Sequence, residues 1–132
     1  MKVYLATPMN GKSIEHIKEN IANCASFLAT KGIDFFNPFL EITAQANSID
    51  GIVLDHRPIE MLCNSAKFIE DCDGLLFIGK MEDLKQSSGC QIETLIAVNY
   101  GKDCYIYDEG KISELDSVEM TWSFGKNREY LS

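Results

Sequence analysis

The sequence lacks any cluster of lysine and arginine residues. Its 132 residues include 12 basic and 20 acidic side chains, which gives a formal net charge of −8 at pH 7. Binding to the phosphates of duplex nucleic acid, or to an anionic membrane surface, depends on concentrated positive charge. We therefore expect neither duplex nucleic acid nor a membrane as a partner of this protein.

Paired cysteine motifs and a long apolar run at the start of the chain are also missing. The five cysteines form no CxxC pair and have no histidine-rich neighbourhood, and an odd number cannot all pair within one chain. We therefore expect no metal site, and the reduced thiols of a cytoplasmic protein. Only about five apolar residues precede Pro8, too few for a signal-peptide core or a membrane span. The cysteines are Cys24, Cys63, Cys72, Cys90 and Cys104.

Apolar residues, by contrast, are plentiful. They make up 45% of the chain, which is enough for the core of one domain of this length. The sequence has neither an internal repeat nor a low-complexity linker. We therefore expect residues 1–132 to form a single domain.

Strand-like runs alternate with segments of helical spacing along the chain. The continuous apolar run Gly74–Gly79 is typical of a strand covered on both faces. This alternation predicts an α/β fold with a mostly parallel sheet, a Rossmann-like or flavodoxin-like three-layer sandwich. The predicted strands are Lys2–Ala6, Ile33–Asn37, Gly74–Gly79 and Asp103–Tyr107, and the predicted helices are one from Ser13 to Gly32, one at Pro58–Asp71 and one at Ser88–Tyr100.

For two segments the sequence predicts no definite helix or strand. The stretch from Pro38 to about residue 56 mixes polar and apolar residues without a clear period. The tail beyond Asp108 is polar, and we expect its Trp122 and Phe124 to dock on the body of the protein.

Ligands of parallel α/β sheets bind at the carboxyl ends of the strands, which selects two loops, Thr7–Ser13 and Lys80–Gly89. The second loop ends in Ser87, Ser88 and Gly89 at a predicted helix start, where hydroxyls and backbone N–H groups suit an anionic or hydroxylated ligand. Glu93 follows within the helix and can point back toward the same place. The alternative is that Ser88 only caps the helix and that Glu93 is a solvated carboxylate.

Three stretches, YLATPMNG at 4–11, CDGLLFIG at 72–79 and SSGCQIETLIAVNYGK at 87–102, together resemble the nucleoside 2-deoxyribosyltransferase superfamily. The chain is most similar to its short bacterial and phage members, relatives of the nucleoside 5′-monophosphate N-glycosidases. The resemblance implies that Glu93 is the nucleophile that attacks the anomeric carbon of a nucleoside or nucleotide, with no cofactor. It also implies a homodimer or larger assembly. The implied substrate-binding residues are Tyr4, Thr7, Pro8, Met9, Gly11, Ser87, Ser88 and Gly89.

Ser87 bears on whether the substrate is phosphorylated. The resemblance places Ser87 where many transferases carry an aspartate and where the monophosphate hydrolases carry a serine. A carboxylate there would repel a 5′-phosphate, whereas a hydroxyl beside helix N–H groups would donate to it. A nucleoside 5′-monophosphate is therefore favoured over the free nucleoside.

One position departs from the family pattern. Relatives carry an aspartate in the helix before the apolar strand, where it helps to protonate the leaving base, and this chain has Ser65 there. A serine is a poor general acid at neutral pH. Either Asp73 or Asp55 supplies the second catalytic carboxylate, or the chain binds nucleotides without efficient turnover.

Three functions remain open for this chain. The chain is either an N-glycosidase or deoxyribosyltransferase, or a nucleotide-binding module of the same fold, or a flavodoxin-like or response-regulator-like interaction domain. The first loop lacks the acidic cluster that a magnesium-dependent phosphoacceptor needs, which disfavours the last of these. His16 and His56 are expected to be ordinary helix and loop residues rather than ligands.

Overall fold

A computed structural model describes residues 1–9, 11–38 and 58–115 of the chain. Within these ranges five strands form one sheet in the order β2-β1-β3-β4-β5. The strands are β1 (Lys2–Ala6), β2 (Asp34–Phe36), β3 (Gly74–Ile78), β4 (Asp103–Asp108) and β5 (Lys111–Glu114). The helices are α1 (Ile14–Thr30), α2 (Pro58–Ala66), a 3₁₀ helix (Lys67–Asp71), α3 (Met81–Lys85) and α4 (Ser88–Asn99).

The sheet is parallel except at one edge. β1 pairs in parallel with β2 and with β3, and β3 pairs in parallel with β4, while β5 runs antiparallel to β4. This arrangement confirms the predicted Rossmann-like or flavodoxin-like fold. From β1 the chain adds β2 on one side of the sheet, and it then adds β3 and β4 on the other side. The carboxyl ends of the neighbouring strands β1 and β3 are therefore the switch point, where folds of this kind have a crevice.

Helices cover both faces of the sheet. Because successive strand residues point to opposite faces, each strand contributes to two cores. On one face Ile17, Ile21 and Leu28 of α1 pack on the sheet. On the other face, residues of α4 and of the 3₁₀ helix pack on Tyr4, Leu75 and Phe77. A functional group on α1 and one on α4 therefore lie on opposite sides of the sheet.

The four predicted strands are confirmed to within about one residue at each end, which is the normal uncertainty of element boundaries. As core strands of one parallel sheet, Val3–Leu5, Leu75–Ile78 and Cys104–Ile106 are predicted to be nearly dry on both faces. This prediction holds for β3, which is buried throughout, and for Val3–Leu5. It is wrong for β4, where Tyr105 and Ile106 are half-buried. β4 pairs with the edge strand β5, whose residues are exposed apart from the half-buried Ile112.

Two short elements escaped the sequence prediction. β5 is a polar edge strand, and it follows a hairpin turn in which Glu109 and Gly110 have φ values of 47° and 83°, typical of a type I′ turn. α3 is only 5 residues long and begins where the Asp83 carboxylate accepts a hydrogen bond from the Lys80 N–H at 2.9 Å. Both elements are mostly polar, and neither has the apolar run that marked the other strands or a repeated helical spacing.

The predicted helix at 58–71 is confirmed as α2, which continues into the 3₁₀ helix. The cap of α1 is also as predicted, since the Ser13 hydroxyl accepts from the His16 N–H at 3.1 Å. The expectations for Asp55, His56, Trp122 and Phe124 fall outside the described residues. None of the helices in the described ranges is long and apolar enough to span a bilayer.

Candidate functional site

A hydrogen-bonded pair of buried polar side chains links β1 to α4. Tyr4 points from the middle of β1 to the α4 face of the sheet and is 0% exposed. Glu93, in the second turn of α4, is 7% exposed and faces it. The Tyr4 hydroxyl donates to Oε2 of Glu93. The structure therefore joins two residues that the sequence separates by 89 positions.

Burial decides the protonation of this pair. Burial raises the pKa of Glu93 from 4.5 to about 7, although the hydrogen bond from Tyr4 lowers it in part. Burial also raises the pKa of Tyr4, and the neighbouring Glu93 carboxylate raises it further. Tyr4 consequently remains a neutral donor, while Glu93 changes charge near neutral pH.

Two more side chains surround the pair. The Ser65 hydroxyl, on α2, hydrogen-bonds Tyr4 and so lowers the pKa of the phenol. The same hydroxyl lies 3.0 Å from the Met61 carbonyl oxygen, and because it has one hydrogen it donates to one of these partners at a time. Burial raises the pKa of the Cys90 thiol, and the nearby Glu93 raises it further. The position that departs from the family pattern, Ser65, thus lies directly beside the candidate site.

The serines at the start of α4 occupy different environments. Ser87 is the N-cap residue and is 7% exposed, and its side chain accepts no cap bond from the first turn of this helix. Its hydroxyl instead hydrogen-bonds the Cys90 thiol and lowers the pKa of that group. Ser88 is exposed, and a Cβ added at Gly89 would meet no atom within 4 Å. The alternative in which Ser88 caps the helix and Glu93 is solvated is therefore wrong.

The first loop lies at the carboxyl end of β1. Thr7 and Pro8 are buried there, and the Thr7 hydroxyl oxygen accepts a hydrogen bond from Asn37 Nδ2 at 3.2 Å. Met9 packs against the core on the α1 face, which is the opposite side of the sheet from Glu93. Gly11 is exposed, with a φ of 73°. Among the predicted substrate-binding residues in the described ranges, Tyr4 is the one whose side chain hydrogen-bonds that of Glu93.

Asp73 lies at the other end of the sheet. It precedes β3 and is exposed, and its carboxylate accepts a hydrogen bond from the Lys2 N–H at 2.8 Å. Its own N–H donates to the Lys2 carbonyl at 2.8 Å. Asp73 therefore ties the amino end of β3 to that of β1, while the pKa of Glu93 is governed by burial and by Tyr4. The structure gives Asp73 a place in the fold and does not bring it to Glu93.

Sequence reasoning missed the roles of Asn37 and Cys90. Asn37 follows β2 and is buried, and a polar residue directly after an apolar strand was the available signal. Cys90 stands one helical turn before Glu93, so helical spacing alone places both on one face of α4. Both residues belong to the surroundings of the predicted site.

The Tyr4–Glu93 pair suits a reaction in which one carboxylate acts as nucleophile or acid. The Tyr4 hydroxyl donates to Oε2 of Glu93, and this bond orients the carboxylate. A carboxyl group with a pKa near 7 can act as a nucleophile when ionised and as an acid when protonated. Residues 1–9, 11–38 and 58–115 contain no group of three or more histidine, cysteine, aspartate or glutamate side chains that could hold a metal ion.

In comparisons with known proteins, no family model, no curated protein and no solved structure matches this chain significantly.

Proposed function

We propose that this protein cleaves or transfers the N-glycosidic bond of a nucleoside or nucleoside 5′-monophosphate, with Glu93 as the nucleophile. The observation that carries the proposal is the buried Tyr4–Glu93 pair between β1 and α4. A buried carboxylate that is oriented by one hydrogen bond and keeps a second oxygen is the group that attack on an anomeric carbon requires. The resemblance of three separate segments to the deoxyribosyltransferases supports the same assignment.

The proposed reaction has two steps. Oε1 of the Glu93 carboxylate forms a bond to the anomeric carbon while the bond to the base nitrogen breaks, and the base leaves with the electron pair and takes up a proton. Water, or the nitrogen of a second base, then attacks the anomeric carbon and releases the carboxylate. Tyr4, whose pKa is raised, stays protonated and holds Oε2 throughout.

The start of α4 supports a phosphorylated substrate. Because the Ser87 side chain does not cap this helix, the N–H groups of its first turn are not taken by a cap, and Ser88 and Gly89 lie at an open surface. A helix N-terminus of this kind favours an anion. We therefore favour a nucleoside 5′-monophosphate, with Ser88 and the Gly89 N–H as its nearest phosphate contacts.

A second candidate function is nucleotide binding without efficient turnover. The observation that favours it is the hydroxyl of Ser65 beside Tyr4, at the position where a carboxylic acid would protonate the leaving base. In the described part of the chain, the effects on the pKa of Tyr4 and Glu93 come from burial, from each other, from Ser65 and from Cys90. No second carboxylate contributes to them.

One experiment separates these functions. The purified protein is incubated with deoxynucleoside 5′-monophosphates and with the matching free nucleosides, and released base is measured by chromatography. We expect release from the monophosphates, and a fall of at least ~100-fold in Glu93→Gln, which keeps the size and removes the charge. Calorimetry on the same variant shows whether binding survives.

The outcomes assign one function each. Release that depends on Glu93 supports the glycosidase, and binding without release by either protein supports the binding module. Release that is unchanged in Glu93→Gln would remove Glu93 from the chemistry. Faster release from free nucleosides than from monophosphates would contradict the phosphorylated substrate.

A further inference from the structure

A cavity lies on the opposite face of the sheet from Glu93. It has a volume of about 480 Å³ and opens at the carboxyl ends of β1, β3 and β4, between α1 and the β4–β5 hairpin. Its apolar floor includes Ile78 and Tyr107, which belong to the core on the α1 face. A cavity of this size at the switch point of a parallel sheet is the usual place for a small ligand in such folds. We call it the α1 crevice.

The two walls of the α1 crevice carry complementary groups. The α1 wall presents the Lys12 ammonium, the His16 imidazole and the amides of two asparagines, Asn20 and Asn23. His16, Asn20 and Asn23 are spaced by four and three residues, which aligns them along one side of α1, and Lys12 lies in the loop just before that helix. The opposite wall presents the carboxylates of Asp108 and Glu109, and a third lining carboxylate, Asp83, accepts the hydrogen bond from the Lys80 N–H. The first wall suits an anionic group and the second suits hydroxyl donors.

The distance between these walls limits the ligand. Lys12 follows the loop after β1, and Asp108 ends β4, and β3 lies between the two strands. Two strand spacings amount to about 10 Å. A pentose phosphate spans this distance when its phosphate bonds at one end and its ring hydroxyls bond at the other. A free anion would bond only at the α1 wall, and it would also face the opposing carboxylates.

The loop before α1 is consistent with a phosphate at Lys12. Gly11, Lys12 and Ser13 stand between a strand and a helix in the order that ends a P-loop. The loop is not a P-loop, because Ala6 stands in place of the first glycine and α1 begins only at Ile14, after the lysine. Lys12 is therefore a point charge at the mouth of the crevice, while the Ser13 hydroxyl is occupied by the His16 N–H.

We propose that the α1 crevice is a second ligand site, distinct from the Tyr4–Glu93 site, and that it binds a sugar phosphate. Lys12 holds the phosphate, and Asp108 and Glu109 accept hydrogen bonds from the sugar hydroxyls. Binding at the α1 crevice requires no chemistry at Glu93. The proposed sugar phosphate site can therefore be tested independently of the proposed glycosidase activity. If both sites operate, the crevice can bind the sugar phosphate that cleavage of a nucleotide releases.

The test is a titration followed by amide NMR, with ribose 5-phosphate as the probe. Its two halves, ribose and inorganic phosphate, serve as separate ligands, and ethanolamine phosphate tests an amine in place of the hydroxyls. We expect shifts of the amide signals of His16, Asn20 and Glu109. We also expect ribose 5-phosphate to bind at least ~10-fold more tightly than any of the other three.

Matched variants locate the binding. Lys12→Met removes the charge and keeps most of the side chain, and it should weaken ribose 5-phosphate at least ~10-fold. Lys18→Met, an exposed lysine of α1 outside the crevice, should not change the affinity. Asp108→Asn should reduce the preference for ribose 5-phosphate over inorganic phosphate, whereas Asp103→Asn at the other end of β4 should not. Glu93→Gln should leave all shifts at the crevice unchanged.

Several results would overturn the proposal. Shifts confined to α4 would place the ligand at the Glu93 site. Equal loss of affinity in Lys12→Met and Lys18→Met would indicate a general charge effect. Tighter binding of ethanolamine phosphate would exclude a sugar as the preferred ligand, and the absence of shifts at millimolar ribose 5-phosphate would exclude the site.

Discussion

Among single residues, Glu93 is the one whose environment most changes its chemistry. A glutamate that is 7% exposed loses the water that stabilises its charge, and the hydrogen bond from Tyr4 restores only part of that stabilisation. The resulting pKa of about 7 means that the carboxylate and the acid are both populated near neutral pH. Two predictions at the residue scale follow from this balance, one for activity and one for stability.

The first concerns Tyr4→Phe. In the proposed reaction the nucleophile is the ionised form of Glu93, so base release should rise with pH through about 7 in the wild-type protein. Removal of the Tyr4 hydroxyl removes the hydrogen bond that lowers the pKa of Glu93, and the rise should move to higher pH. Measured pH profiles of kcat/KM for both proteins check this. A profile that stays in place, or moves to lower pH, would contradict the role of Tyr4.

The second concerns stability against pH. In the unfolded chain Glu93 titrates near its ordinary value of 4.5, and in the folded chain near 7, so the folded state binds more protons between these values. The contribution of Glu93 to the free energy of unfolding is therefore fully present below pH 4.5 and is lost as the pH rises through about 7.

Glu93→Gln removes this dependence. Relative to wild type, the variant should gain stability on going from pH 5 to pH 8, by on the order of 3 kcal/mol if the whole shift is expressed. Denaturant unfolding at both pH values measures the difference. Glu19→Gln, at an exposed position of α1, is the control and should show no such gain. A Glu93→Gln variant that loses stability with pH as steeply as wild type would show that Glu93 is not desolvated.

On the scale of elements, the close approach of β3 to β4 depends on a glycine. A Cβ built at Gly74 would lie 2.7 Å from the carbonyl oxygen of Asp103, a backbone atom of the neighbouring strand that cannot move without disturbing the pairing. Gly74 begins the strand that carries the most deeply buried part of the sheet. The pairing of these two strands therefore limits Gly74 to a residue without a side chain.

Gly74→Ala should accordingly lower the free energy of unfolding by about 1–3 kcal/mol, the usual cost of overpacking. Gly89→Ala provides the matched control, because an added Cβ there meets nothing within 4 Å and alanine is the better helix former in α4. Thermal or denaturant unfolding of both variants measures the contrast. Equal effects of the two substitutions would mean that β3 and β4 can move apart to admit a side chain.

At the scale of the whole molecule, α2 and α4 form a surface with exposed apolar side chains. Three large apolar side chains are exposed on these helices, with Ile59 at 76%, Ile92 at 41% and Tyr100 at 79% exposure. α4 has no charged side chain other than the buried Glu93, and a helix with so few charges is normally covered. We expect a homodimer at least, with a two-fold interface on this surface.

Substitution of this surface tests the assembly. Ile92→Lys combined with Tyr100→Ser should convert a dimer to a monomer in sedimentation or light-scattering measurements, because a two-fold axis repeats each unfavourable change on both subunits. Glu19→Lys on α1 changes charge elsewhere and should leave the mass unchanged. A wild-type monomer at all concentrations would contradict the dimer.

The sequence by itself determined much of this protein. Continuous apolar runs and a change of period at Ser13 were sufficient for the four parallel strands and the main helices, because both signals are local. The position of Glu93 in a helix behind two serines was also local, whereas its role as the candidate nucleophile rested on the resemblance to the deoxyribosyltransferases. β5 and α3 escaped because their sequences, KISE and MEDLK, are mostly polar and contain no apolar run.

Only the tertiary structure decided which polar groups meet. Tyr4 and Glu93 are 89 positions apart, and their hydrogen bond exists because α4 packs on the face of β1 to which Tyr4 points. The same packing supplies the burial that raises the pKa of Glu93, a quantity that no local pattern contains. Asp73, although it belongs to the stretch CDGLLFIG, lies at the amino ends of the strands, because strand direction places it at the opposite end of the sheet from the two candidate loops. The α1 crevice likewise arises only when the sheet brings the ends of β1 and β4 within two strand spacings of each other.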